Sequence, residues 1–381
     1  MARWLLPEGI SDVLPAEARR IEELRRTLLD LYRGFGYELV FPPMIEYLDS
    51  LLTGTGRDLD LRTFKLVDQL SGRQLGLRAD ITPQVARIDA HILNRPGVVR
   101  LCYAGSVLHT RPAHPLATRE PMQVGAELYG HAGLSADAEV QTLAVQSLRR
   151  SDVNHVFLDL AHTGIVRALL SEPPAAALSE QILEALAGKD VPSLRLAAAA
   201  LPAATTDALL ALTELHGGAG VIDAARKRLP RSTAIVRALD DLAWLIERST
   251  ADEVSVDLSD LHGYRYYTGV NFAAYDERAA GALLRGGRYD DIGRAFGRAR
   301  PATGFSIELR DLARLNGTGR FDAIGAPASD DAGLRAAIDA FRASGEIVVQ
   351  ALDPAESHVE GVSRELRQVD GRWMVVTLDP H

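Results

Sequence analysis

The chain has 381 residues, room for one large domain with an appendage or roughly two to three smaller ones, and its 42 basic against 51 acidic side chains leave a formal charge of −9. A composition of 47% hydrophobic and 24% charged residues excludes global disorder, and the single Cys102 excludes a disulfide framework or a cysteine-based zinc cluster. The acidic balance argues against broad non-specific DNA binding, no apolar run approaches the roughly 20 residues of a membrane helix, and the opening MARWLLPEGISDVLP, with its early Pro7, does not read as a signal peptide, so a soluble cytoplasmic protein is expected.

The first predicted element is a helix. Ile21, Leu24, Leu28, Leu31 and Phe35 recur at helical spacing, Arg19, Arg20, Glu22, Glu23, Arg25 and Arg26 fill the other faces, and Gly34 and Gly36 end it. Tyr37 to Phe41 reads as a strand stopped by Pro42 and Pro43. Residues 64–130 read as β-rich and antiparallel: a hairpin of Phe64–Val67 and Gln74–Arg78 about the turn Leu70–Arg73, a helix from Thr82 to Leu93 with Pro83 in its first turn, and strands at Val98–Tyr103 and Gln123–Tyr129 flanking a Pro- and His-bearing loop. Residues 136–150 suit a helix and Val156–Leu160 a strand. Ala and Leu then dominate from Ile165 to about Arg248, which predicts an all-helical insertion. Strands return at Val254–Leu258 and Val270–Ala274, followed by a Gly-rich turn at Arg285–Asp290 and a helix. After Gly317 a small-residue linker, Gly325 to Ala332, leads to a helix at Leu334–Ala343 and strands at Ile347–Gln350 and Trp373–Thr377, a small α/β appendage near the lower size limit for an independent domain.

Most familiar site patterns are missing. Neither GxGxxG nor GxxxxGK[ST] occurs, and Thr53-Gly54-Thr55-Gly56 is most simply a turn. His109 and His114 share a loop, and His155 and His162 flank a strand, without metal-ligand spacing. No Ser-His-Asp or Cys-His set can be assigned, and Asp290-Asp291 reads as turn and cap chemistry. No metal and no cofactor are expected. The informative group is polar. Asp80 and Thr82 follow a strand, Gln123 and Glu127 lie four apart on one strand face, and Tyr266-Tyr267 precede a strand. Two carboxylates, a carboxamide and a phenol on one face suit a small cationic ligand, while a solvated sheet face is the simpler alternative.

These residues carry a resemblance. From about Leu6 to Leu315 the sequence resembles the catalytic core of class II aminoacyl-tRNA synthetases, and histidyl-tRNA synthetases in particular. Leu6–Pro15 is similar to that family's opening. Gly34–Tyr37 through Pro42 resembles the first class II motif, Leu101–Gly130 the second and Gly304–Ile307 the start of the third. Leu77–Thr82, His262–Tyr267 and Gly286–Asp290 resemble histidine-specific signatures. The resemblance implies an α+β fold: an antiparallel sheet core flanked by helices over 1–320, with a helical insertion at about 165–250, and a small C-terminal α/β domain over 321–381. It implies a homodimer through 17–43. It also implies histidine contacts at Asp80, Thr82, Gln123, Glu127, Tyr266, Tyr267 and Tyr289.

The departures from that pattern change the expected activity. The family's second-motif arginine falls on His109, its neighbouring glutamate on Arg111, the third-motif arginine on Asp311 and the arginine before Gly263 on His262. Cations stabilise a transferring phosphate, so their loss implies no adenylate chemistry and no catalytic residue. Arg265 or Arg119 is the candidate to replace the lost grip on an amino-acid carboxylate. Residues beyond 320 do not resemble an anticodon-binding domain. The whole pattern is similar to the synthetase paralogues that serve as regulatory subunits of ATP phosphoribosyltransferase, the first step of histidine biosynthesis. That implies a short catalytic subunit as partner in a hetero-octamer, histidine as feedback effector, and no tRNA or membrane. The alternatives are an active histidyl-tRNA synthetase, a ligase acting on a protein, and a stand-alone histidine sensor.

Overall fold

A computed structural model describes residues 4–54, 57–112, 117–171, 173–315, 317, 322–353 and 362–378. Thr55, Gly56 and His114, weighed above, lie outside the described residues. Contacts divide the chain into two compact units, Met1–Val13 with Ile21–Asn316, and Leu14–Arg20 with Gly317–His381.

The first helix runs over Pro15–Gly34 and buries Ile21, Leu24, Leu28 and Tyr32. Its apolar stripe is therefore covered by this chain's own core, where Tyr32 meets Phe305 edge to face at 5.8 Å. The stripe supplies no exposed face for the dimer expected through 17–43.

Among the described residues of the first unit twelve strands follow: β1 Glu38–Leu39, β2 Ile45–Tyr47, β3 Phe64–Val67, β4 Gln74–Leu77, β5 Val99–Ser106, β6 Met122–Tyr129, β7 Phe157–His162, β8 His216–Gly217, β9 Glu253–Asp257, β10 Val270–Tyr275, β11 Leu284–Arg288 and β12 Ala302–Glu308. Nine form one sheet in the order β1-β5-β6-β12-β11-β10-β7-β9-β8, antiparallel except for the pairs β1/β5 and β7/β9. The remaining three make a small sheet, β2-β4-β3. Alternation along β6 divides its side chains between two faces. Val124, Ala126 and Leu128 join the large core with the helices Leu134–Arg149 and Thr233–Arg248, while Gln123, Glu127 and Tyr129 point the other way.

Several expectations are refined. The Gly-rich stretch at 285–288 is a central strand and not a turn. Gly286 and Gly287 let Phe272, Tyr267 and the β10 and β12 backbones approach closely, which no side chain there would allow. The helix from Thr82 is α-helical to Arg87 and continues as a π-helix over Ile88–Leu93, where buried Asp89 pairs with Arg300 at 2.9 Å. The region 165–250 holds seven helices and the two-residue strand β8 among its described residues.

The second unit has a four-stranded sheet, β14-β13-β15-β16, built from β13 Ala323–Ala326, β14 Val348–Gln350, β15 Val362–Val369 and β16 Arg372–Thr377. Leu334 and Ile338 of the helix Ala332–Ala343 pack on Ile324, Ala326, Val348 and Leu366. Asp331 caps that helix, accepting from Leu334 N at 2.7 Å and from Trp373 Nε1 at 2.8 Å. The stretch from Gly325, expected as linker, starts inside β13, whose four residues are all buried. Small side chains suit a tightly covered strand as well as a linker, and composition alone does not separate the two.

Candidate ligand pocket

The face of β6 that carries Glu127 looks into a cavity of about 860 Å3. All seven residues expected at a ligand site, Asp80, Thr82, Gln123, Glu127, Tyr266, Tyr267 and Tyr289, line it. β6 supplies Gln123 and Glu127. The start of the helix Thr82–Arg87 supplies Asp80 and Thr82, and the residue after β11 supplies Tyr289. Tyr266 and Tyr267 come from a turn in which both backbone N–H groups donate to Gly263 O at 2.8 Å. Gly263 has φ +67°, and a Cβ there would press on the Tyr267 ring, so glycine is required. Arg167 Nη2 anchors the turn by donating to Tyr264 O at 3.1 Å and Tyr267 O at 2.6 Å.

Glu127 is 1% exposed and lies at the centre of a chain of hydroxyls. Tyr103 OH donates to its Oε1 at 3.2 Å, Tyr289 OH donates to its Oε2, and Thr82 Oγ1 is 3.1 Å from Tyr103 OH. Burial pushes the Glu127 carboxyl up to about 8, against the downward pull of the Tyr289 hydroxyl. Burial also raises Asp80, whose Oδ1 accepts from Thr82 N at 3.1 Å. Gln123 Oε1 accepts from Ile81 N at 3.1 Å, so a ligand ammonium reaches it through the remaining lone pair. The Tyr266 hydroxyl is buried without a hydrogen-bond partner, and its ring lies 4.9 Å from that of Tyr289. Two carboxyls whose proton affinity burial raises, with an unpaired phenol between aromatic rings, match a small cationic or N–H-rich ligand.

The three positions of lost arginines separate. His262 lines the cavity, but His109 and Asp311 do not. His109 is buried, with Nε2 2.9 Å from Ala79 O. Burial first, and the Arg62 charge second, push it down to about 4, so the ring is neutral. Asp311 lies on the helix Leu309–Leu315, half-exposed and 3.9 Å from Arg314. Of the two expected substitutes, Arg265 lines the cavity and Arg119 does not. Arg119 donates to His109 O at 3.0 Å and Glu8 O at 3.1 Å and is not in the lining, and Arg265 pairs at 3.2 Å with Glu180. Sequence reasoning missed Arg62 and Arg285, and it missed Glu180, Leu183 and Glu184 from the helix Ser179–Ala187, all of which line the cavity. Arg285 was legible only as the residue next to the glycine pair, and no motif marked Arg62.

Residues 9–312 match the family model described as Histidyl-tRNA synthetase. Residues 321–376 match the one described as ATP phosphoribosyltransferase subunit HisZ C-terminal domain. A protein of Ralstonia pickettii named ATP phosphoribosyltransferase regulatory subunit is 59% identical over 376 residues, covering 98% of this chain and 97% of the relative. One of the same name from Cupriavidus necator is 58% identical over 378 residues, covering 98% of both. Among solved structures, one titled as an ATP phosphoribosyltransferase regulatory subunit/histidyl-tRNA synthetase from Bacillus halodurans superposes with a TM-score of 0.82 at 27% identity, covering 94% of this chain and 95% of that one. A histidyl-tRNA synthetase from Nostoc shares the fold, with a TM-score of 0.78 at 19% identity over 99% of this chain and 97% of that one.

Proposed function

The chain belongs to the family of ATP phosphoribosyltransferase regulatory subunits, whose core is a histidyl-tRNA synthetase fold, and from that premise we propose that it acts in the cytoplasm as the non-catalytic, histidine-sensing partner of a separate catalytic subunit. It supports the activity of a short-form phosphoribosyltransferase in a hetero-octamer built on a dimer of this chain, and it carries feedback inhibition by histidine. The observation that carries this reading is the combination of two features. Residues 321–376 match the C-terminal-domain model of such subunits, and the cavity retains its carboxylate and phenol end although histidines stand at 109 and 262 and an aspartate at 311.

Histidine fits the cavity end to end. Its ammonium lies near Asp80, Thr82 and Gln123, and its imidazole lies near Glu127 among Tyr266, Tyr267 and Tyr289. Inhibition then requires that the liganded cavity favour one conformation of the complex over another, because a ligand shifts an equilibrium only by its differential affinity.

The test is reconstitution with the short catalytic subunit. The two proteins co-purify, phosphoribosyl transfer rises when this chain is added, and histidine then suppresses it. A catalytic subunit that is equally active and equally histidine-sensitive without this chain would defeat the reading.

A further inference from the structure

We propose that Arg62 and Arg285 form an anion-recognising end of the cavity that grips the α-carboxylate of its ligand, so that the site selects a free amino acid over the corresponding amine or alcohol; this rests on the histidine reading above. Three guanidiniums line the cavity, those of Arg62, Arg265 and Arg285. Arg265 is exposed and countered by Glu180. Among the described residues neither Arg62 nor Arg285 has an ion-pair partner.

Arg62 ends the short helix Arg57–Arg62. Its Nη2 rests against the His109 ring, 3.2 Å from Nδ1 and 3.0 Å from Nε2. That ring is neutral and its Nε2 is engaged by Ala79 O, so it holds the guanidinium without cancelling its charge. A histidine at a position where the synthetase pattern carries an arginine thus stands against an arginine delivered from another element.

Arg285 projects from the sheet face that carries Glu127. Glu127 pairs with Gly304, Gly304 with Gly287, and Arg285 lies two residues along β11 from Gly287. Two strand spacings of about 4.8 Å and two residues of about 3.4 Å place its Cα roughly 12 Å from that of Glu127. Arg285 and Glu127 therefore stand at separate ends, while the Asp80 carboxyl, which feels the Arg62 charge, lies towards the cationic end. His262 lines the cavity with both arginines, and burial first, then the Arg285 and Arg62 charges against the opposite pull of Asp260, lower its basicity.

A cavity with a buried carboxylate at one end, two guanidiniums without a close ion pair at the other, and the Asp80 carboxyl within the field of Arg62 is matched by a zwitterion with a basic ring. A carboxylate accepts the fork of N–H donors that a guanidinium presents, whereas an alcohol offers no charge.

Calorimetry on the full chain with L-histidine and L-histidinol tests this. Wild type binds histidine at least about tenfold more tightly than histidinol. Arg62→Gln and Arg285→Gln each cost about tenfold or more in histidine affinity while histidinol affinity moves less than about twofold, and Arg62→Lys retains part of the preference. Equal affinity of wild type for the two ligands overturns the inference. So does a parallel loss of both ligands in the variants, which would mean that the arginines hold the fold. If wild type binds histidine and both variants bind it unchanged, this inference alone falls. If wild type binds neither ligand, the histidine reading falls with it.

Discussion

Gly304 stands directly opposite Glu127 in the β6–β12 register, and the volume its missing side chain would fill is taken by the Glu127 carboxylate. Glu127 cannot swing aside, because Tyr103 and Tyr289 bracket both its oxygens. Gly304→Ala therefore overpacks the site and is expected to cost about 1–3 kcal/mol of stability, read as a lower denaturation midpoint at constant m value. Histidine binding should weaken in parallel. An unchanged midpoint would mean that the carboxylate is freer than its two phenol contacts imply.

Burial raises Glu127 and Glu308 from the ordinary 4.5, each to about 8. The folded chain therefore binds protons that the unfolded chain has already released, and this contribution to stability is complete below about pH 4.5 and is lost as pH rises towards about 8. The unliganded protein should become less stable across that window. Glu127→Gln and Glu308→Gln should each flatten the decline, so that the variants gain on wild type as pH rises. Urea midpoints at three pH values decide it, and curves parallel to wild type would contradict the burial of these groups.

Much of this was legible in the sequence, and for different reasons. The first helix and β6 announce themselves by apolar period, and Gln123 and Glu127 by a separation of four on one strand. Arg62 was invisible, since it reaches His109 across 47 residues and only the fold brings them together. Strand Val362–Val369 was missed because Ser363, Arg364, Glu365, Arg367 and Gln368 leave little apolar alternation to detect, with Leu366 alone fully buried. An apolar helical stripe must be buried, but its sequence does not say against what, and here Ile21, Leu24, Leu28 and Tyr32 meet this chain's own core.

The purified chain should show no histidine-dependent exchange of pyrophosphate into ATP. Adenylate formation needs fixed cations on the transferring phosphate. At two of the three positions where the synthetase pattern places them stand His109, which is neutral, and the acidic Asp311. His109→Arg should not restore exchange, because the new guanidinium would meet that of Arg62. Measurable exchange by wild type would refute the assignment.

Self-association is expected through the small sheet rather than the first helix. Ile45, Leu77 and Phe64 fall in one cross-strand row and Tyr47, Leu75 and Leu66 in the next, which makes one face apolar. Ile45, Tyr47 and Leu66 are exposed, as are Leu39 and Phe41 by the sheet-edge strand β1. Apolar surface of this kind marks an interaction site. Wild type should sediment as a dimer at micromolar concentration, and a Tyr47→Asp, Leu66→Asp variant as a monomer with an unchanged circular dichroism spectrum. A wild-type monomer would contradict it.

The last expectation concerns the ligand. Histidine brings an ammonium and N–H donors towards Asp80 and Glu127, and positive charge near those carboxylates favours their ionised forms. Binding at pH 7 should therefore release protons, seen as a heat that depends on the ionisation enthalpy of the buffer, and affinity should rise from pH 6 to pH 8 as Glu127 passes its value of about 8. Glu127→Gln keeps the shape and a hydrogen-bonding group but cannot ionise. It should cost about 1–3 kcal/mol, roughly 5- to 150-fold in histidine affinity, and abolish most of the proton release. In the assembled enzyme the same change should relieve histidine inhibition and leave assembly intact, because Glu127 is 1% exposed and presents nothing to a partner. If Glu127→Gln binds histidine as wild type does while inhibition persists, the cavity is a vestige of the synthetase fold and feedback acts through another surface.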